Sequence, residues 1–232
     1  MKTGFTLAEV LITLGIIGIV AAITIPNLIN NYQKHVIETN LKETYSILQQ
    51  VMKFTEYDDV ALEEFPDSPE GAKKWFTTYL QPHLKYSKIC FHTQGCWQKK
   101  GKIKGLNGNT LPFDCAELGL GQNNITIALT NGSNINIVGL STDSVKNIFK
   151  ISQNGHIALI IDANGNSGPN IYGKDIFIAL YHESKGIIPA GEHISLNEVR
   201  ANCKNSASGI FCMSRVKNNG WEIPNDVWKI KI

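Results

Sequence analysis

The run from Phe5 to Ile25 constrains this chain more than any other stretch. It reads Phe-Thr-Leu-Ala-Glu-Val-Leu-Ile-Thr-Leu-Gly-Ile-Ile-Gly-Ile-Val-Ala-Ala-Ile-Thr-Ile, and Glu9 is its only charged residue. A helix of about 20 residues crosses the ~30 Å hydrocarbon layer of a bilayer. From Leu11 to Ile25 there is no polar face, so this is not the surface helix of a soluble domain. Lys2 stands in front of the run, which favours a cytoplasmic N-terminus and an exported chain after Pro26. Glu9 has two readings. It is an interfacial residue tolerated beside the headgroups, or it is a functional acid that needs a positive partner.

The segment Gly4-Phe5-Thr6-Leu7-Ala8-Glu9-Val10-Leu11-Ile12 closely resembles the prepilin cleavage and methylation motif of type IV pilins and type II secretion pseudopilins. The resemblance implies that a prepilin peptidase cuts between Gly4 and Phe5 and N-methylates Phe5. Glu9 then becomes the fifth residue of the processed chain, where the family pairs its glutamate with the terminal amine of a neighbouring subunit. Pro26 matches a proline common in this anchor helix and is expected to kink or open it. The close match covers about the first 30 residues, behind a short leader, Met1 to Gly4. A secretory signal peptide cut near Val20-Ala21-Ala22 is the rival reading. Glu9 inside the apolar stretch and the single leading Lys argue against it. A plain uncleaved anchor is the third option.

Beyond Pro26, Leu28, Ile29, Tyr32, Val36, Leu41, Tyr45, Leu48 and Met52 recur mostly three or four residues apart. The spacing predicts an amphipathic helix to about Phe54, its stripe packed on a head. Thr55 to Pro69 is acidic and turn-rich, with Glu56, Asp58, Asp59, Glu63, Glu64 and Asp67, and reads as a connection. Ser68 and Pro69 mark the start of a second helix. Trp75, Phe76, Tyr79 and Leu80 form its apolar face, and it ends near Pro82. Short strands follow Cys90. Ile125–Thr130 and Ile135–Val138 flank Asn131-Gly132, a hairpin signal, and 157–161 and 176–181 are two further strands. The fold class is therefore α+β: a long N-terminal membrane and assembly helix packed on an antiparallel sheet head. The expected divisions are a leader at 1–4, a long helix at 5–54 and a globular head at 55–232. Within the helix, 5–25 is the transmembrane and assembly half and 26–54 the amphipathic half.

The five cysteines are Cys90, Cys96, Cys115, Cys203 and Cys212. In an exported head disulfides are allowed. Cys203 and Cys212 close a short loop and are the best pair. Cys90 pairs with Cys96 or with Cys115, leaving one thiol over, and connectivity is not readable from sequence. Zinc fits less well, because five residues separate Cys90 from Cys96, with His92 among them. After the strand ending at Ile161, the side chains of Asp162, Asn164 and Asn166 alternate like the first ligands of a calcium loop, and Asp175 follows. Gly173 replaces the Glu that such a loop has at its twelfth position, so this is not an EF-hand. A turn built from Asx and glycine residues is the favoured reading, with calcium in a different oxygen cage as the alternative. The stretch from Asp162 to Asp175 also looks like a motif of pilin-like heads. Gly220 to Trp228 is expected to pack across the sheet, with Trp221 and Trp228 as core or edge cover.

No phosphate loop, Gly-x-Ser-x-Gly elbow, His-Glu-x-x-His or paired-carboxylate arrangement occurs, and no enzymatic activity is expected. The net charge of +2 does not indicate nucleic-acid binding. Two functional classes remain. One is a structural subunit of a type IV pilus or type II secretion pseudopilus. The other is a minor or tip-located binder whose head recognises DNA, a surface or a secretion substrate. The partners implied by the resemblance are other pilin subunits, the prepilin peptidase, and the inner-membrane platform with its ATPase. The implied location is the bacterial inner membrane, then a periplasmic or cell-surface filament.

Overall fold

The computed structural model describes residues 4, 6–57, 69–91, 93, 95–99, 101–110, 124–151, 156–182 and 185–232. The chain divides into two compact units, residues 1–36 and 37–232. One helix, α1 (Leu7–Tyr57, 51 residues), contributes to both.

In the first unit α1 has no polar face from Leu11 to Ile25. Leu11, Ile12, Leu14, Ile16, Ile17, Ile19, Val20 and Ile23 are 54–65% exposed. By length and composition the helix can cross a membrane. It runs through Pro26 with no break, so the expected opening of the helix is not seen. Nearby side chains bond carbonyls of the preceding turn: Thr24 Oγ1 donates to the Val20 carbonyl at 2.9 Å and Asn27 Nδ2 to the Ile23 carbonyl at 3.2 Å. Neither serves the Ala22 carbonyl, the acceptor that Pro26 deprives of its N–H. Leu28, Ile29 and Tyr32, expected on a packed stripe, are exposed instead.

In the second unit, α1 buries Ile37, Leu41, Thr44, Leu48, Val51, Met52 and Thr55, spaced three, four or one apart. This stripe is rotated slightly from the expected one, since Val36 and Tyr45 are only half-buried. The helix ends at Tyr57, three residues past expectation. Helix α2 (Pro69–Tyr79) follows, and Trp75, Phe76, Tyr79 and Leu80 are buried as its spacing predicts.

Among the described residues, six strands form one antiparallel sheet in sequence order: β1 (Tyr86–Phe91), β2 (Ile125–Leu129), β3 (Asn134–Leu140), β4 (His156–Asp162), β5 (Ile176–His182) and β6 (Gly186–Pro189). The β2–β3 hairpin turns at Asn131-Gly132, where Gly132 takes φ +89° and Asn131 Oδ1 accepts the Ser133 N–H at 3.1 Å. Alternate side chains enter two cores. Ile127, Ile135, Ile161 and Phe177 face a core shared with α1 and α2, while Ile160, Ile178 and Leu180 face a second. Both faces are covered, which is why β4 and β5 read as almost unbroken apolar runs.

The second core is closed by Trp97, Ile103, Tyr172, Phe211 and a segment between β3 and β4, α3 (Thr142–Ser144) with a π-helical turn at Val145–Phe149. Three short helices complete the chain: α4 (Leu196–Asn202), α5 (Cys212–Asn218) and α6 (Asn225–Trp228). The C-terminal stretch is fastened to α1. Trp221 lies 5.0 Å from the Tyr45 ring, and the Ile223 N–H donates to Glu38 at 2.7 Å. Side chains of α1 also cover the β6 edge, where Tyr45 Oη and Gln49 Nε2 donate to the Ile187 carbonyl at 3.0 and 2.5 Å.

Candidate functional site

The first site is the start of α1. The Glu9 carboxylate accepts the Thr6 N–H and the Thr6 hydroxyl through Oε2, each at 2.8 Å. The Glu9 N–H donates to Thr6 Oγ1 at 3.3 Å. Thr6 and Glu9 thus form a capping box, with Thr6 as cap. The sequence carries the signature, Thr-x-x-Glu before an apolar run, but Glu9 read alone as a partner-seeking acid hides this local task. Capping engages one oxygen. Oε1 has no partner among the described residues, and no basic residue follows until Lys34, about 38 Å along the helix. Gly4 is exposed, and a Cβ added there meets nothing within 4 Å, so the fold of this chain leaves room for a side chain at the proposed cleavage position. Phe5 lies outside the described residues.

The second site is the loop from β4 to β5. Asp162 and Asp175 are both fully buried. Asp175 accepts the Asn170 and Ile171 N–H groups at 2.7 Å each. Asp162 has only longer bonds, from Gln98 Nε2 at 3.3 Å and the Asn164 N–H at 3.4 Å. Burial, and then the nearby Asp175, push the Asp162 carboxyl up to about 8. Burial pushes Asp175 up to about 6 against the opposing backbone bonds. The loop is tied to the rest of the head: Ala163 donates its N–H to the Asp175 carbonyl at 2.8 Å, and its own carbonyl accepts Asn40 Nδ2 from α1 at 2.9 Å.

The four expected oxygen donors do not act alike. Asn166 Oδ1 accepts amide N–H groups of Asn134 and Gln98, at 3.2 and 3.4 Å, and so serves the fold. Asn164 Oδ1 and Asn170 Oδ1 are buried without a hydrogen-bond partner among the described residues. Asn170, with φ +58°, was not among the sequence candidates; its place in the loop shows only once the chain folds back on Asp175. Two buried carboxyls beside two unpartnered amide oxygens fit the chemistry of a hard cation such as calcium. No group of three His, Cys, Asp or Glu side chains suited to a metal occurs among the described residues.

Cys90 is bonded to Cys96, and Cys203 to Cys212, with Cα–Cα distances of 6.2 and 5.1 Å. The second bridge joins the end of α4 to the first residue of α5. Cys115 and His92 lie outside the described residues.

Comparison with known families bears on the N-terminal half. Residues 1–25 match the prokaryotic N-terminal methylation motif, and residues 27–104 match a family of unknown function, DUF6613. No curated protein and no solved structure matches the chain. The methylation motif is a mark of structural subunits rather than enzymes, and implies processing by a peptidase. The chain therefore carries the signal of type IV pilins and pseudopilins, on an α+β pilin-like architecture, and has the hallmark of an exported subunit of that kind.

Proposed function

We propose that this chain is a structural subunit of a type IV pilus or type II secretion-type filament. It is inserted with its N-terminus in the cytoplasm and its head exported. The prepilin peptidase cuts between Gly4 and Phe5, and the platform and ATPase move the subunit into the filament. The observation that carries this reading is Glu9: one acid near the front of an apolar helix whose side chains the chain itself leaves uncovered. Removal of residues 1–4 creates a positive amine at Phe5, the charge that Glu9 lacks. When helices bundle, the carboxylate of one subunit neutralises the amine of the next, and both are then sheltered from water. The head is already folded around its own two cores, so assembly has only to cover the exposed helix. The test is to express the tagged chain beside its Gly4→Ser variant and compare sheared filaments. The wild type is expected in the filament fraction in shortened form. The variant is expected full-length and confined to membranes. Equal incorporation of both would refute the proposal.

A second reading concerns the head. We propose that Asp162, Asp175, Asn164 and Asn170 hold calcium, on the strength of the two unpartnered amide oxygens beside two buried carboxyls. Bound there, the cation supplies the positive charge that lets both carboxyls ionise in the interior. Thermal unfolding with calcium and with a chelator tests this. Calcium is expected to raise the midpoint of the wild type and leave Asp162→Asn unchanged, and no wild-type shift would exclude the site.

A further inference from the structure

Charge is segregated along this chain in a way its net value conceals. Residues 69–104 hold eight lysines against one acid, Glu70, a net of +7, while the whole chain carries +2. Residues 55–68, immediately before them, hold six acids and no base, a net of −6. The fold gathers much of the basic segment around edge strand β1. Lys85 and Lys88 lie just before and within β1, with Lys88 paired to Ala128 of β2. Lys73 and Lys74 stand on α2, and Lys73 Nζ lies 5.7 Å from the Phe91 ring at the end of β1. Lys99 and Lys102 occupy a turn tied back to β1 through the Cys90–Cys96 bridge, with the Lys102 N–H donating to the Lys99 carbonyl at 3.1 Å. All six side chains are exposed, and none forms an ion pair among the described residues.

Lysines on an edge strand guard it against unwanted strand pairing. That accounts for Lys85 and Lys88, but not for Lys99 and Lys102, whose turn is bridged to Cys90 on the side of β1 that Lys88 faces; α2, with Lys73 and Lys74, packs on the opposite side. We propose that the basic face of Lys85, Lys88, Lys99 and Lys102 is the head-to-tail contact between copies of the chain, and that its occupant is the acidic stretch Glu56–Asp67 of a second copy. Two basic faces repel, so a symmetric contact through this surface is excluded. A contact that repeats along a filament needs two different, complementary patches on each subunit. In this chain the acidic stretch supplies the complementary charge. The inference takes only charge from the acidic stretch, whose residues 58–68 lie outside the described ones. It rests on the filament reading.

The test uses the full-length chain in detergent, as an equal mixture of unlabelled and ¹⁵N-labelled copies, treated with a carbodiimide that joins lysines to touching carboxylates. Mass spectrometry then shows whether each link lies within or between copies. Links from Lys85, Lys88, Lys99 or Lys102 to Asp58, Asp59, Glu63 or Glu64 between light and heavy copies are expected. Raising the salt to about 0.5 M is expected to lower these links about ten-fold, and a variant with the four lysines reversed to Glu is expected not to self-associate. Mixing that variant with an Asp58→Lys, Asp59→Lys, Glu63→Lys copy is expected to restore association. Links confined to single copies would place the acidic stretch on its own basic face and overturn the inference. Wild-type capture of duplex DNA or anionic vesicles, without links between copies, would also overturn it. Failure of the filament reading has a different signature, since no charge variant, including the compensated pair, would then enter filaments.

Discussion

Substituting Glu9 by Gln separates the two tasks that this residue serves. In the capping box, Oε2 accepts two bonds from Thr6 at 2.8 Å each, and a glutamine oxygen accepts the same bonds at the same position. The cap therefore survives Glu9→Gln, while the charge does not. Loss of an N-cap changes a folding or assembly equilibrium by roughly five-fold. Removing one partner of a buried ion pair changes it by on the order of 100- to 1,000-fold. If Glu9 serves only as a cap, Glu9→Gln assembles almost as wild type, and Glu9→Val shows a small loss. If the carboxylate neutralises a neighbour's amine, both variants fall by the larger factor while staying in the membrane. Quantifying subunit in sheared filaments against membrane-bound subunit reads the difference. Normal incorporation of Glu9→Gln would refute the pairing argument and leave capping as the whole role of the residue.

Other perturbations address the head. Leu41 of α1 is fully buried against the sheet, so Leu41→Ala is expected to cost about 2–5 kcal/mol in urea unfolding of the detergent-solubilised chain. An unchanged midpoint would mean that α1 is not part of the head's core. Breaking the Cys203–Cys212 bridge, which spans nine residues, should cost about 2.5–3 kcal/mol by chain entropy, measurable as a lower midpoint for the Cys203→Ser, Cys212→Ser pair. Asp162 gives a pH signature. Its carboxyl holds a proton in the folded head up to about pH 8, whereas the unfolded chain releases it near 3.8. Without calcium, stability should therefore fall as pH rises through that window. Saturating calcium should flatten the fall, and Asp162→Asn should confine it to the range below about pH 6, where burial still keeps the proton on Asp175.

The parts of the fold that were legible in the sequence carry regular patterns over many residues. The apolar run of α1, the face of α2 and the Asn131-Gly132 hairpin all follow from spacing and turn chemistry. The edge strands were harder. β1 has two polar or charged positions among six and an irregular register near Tyr86 and Lys88, while β6 has only four residues. Helices α4 to α6 are each seven residues or fewer, too short for periodicity to declare itself. One signal was nevertheless present: Ser195 and Glu198 form a full capping box at the start of α4. At the candidate sites, sequence identified Glu9 and the Asp162 loop but not how their atoms are used. Asn166 looks like Asn164 in the sequence, yet its oxygen is engaged by two amides while that of Asn164 is left unpartnered. Asn170 comes into play only through the bond of its N–H to Asp175.

Intact mass and N-terminal sequencing of the chain recovered from filaments decide whether the acid survives processing to meet its partner. The expected product begins at an N-methylated Phe5 and retains Glu9 four residues further on. A product beginning at Ile23, or an uncut chain still starting at Met1, would contradict the proposed assembly through α1.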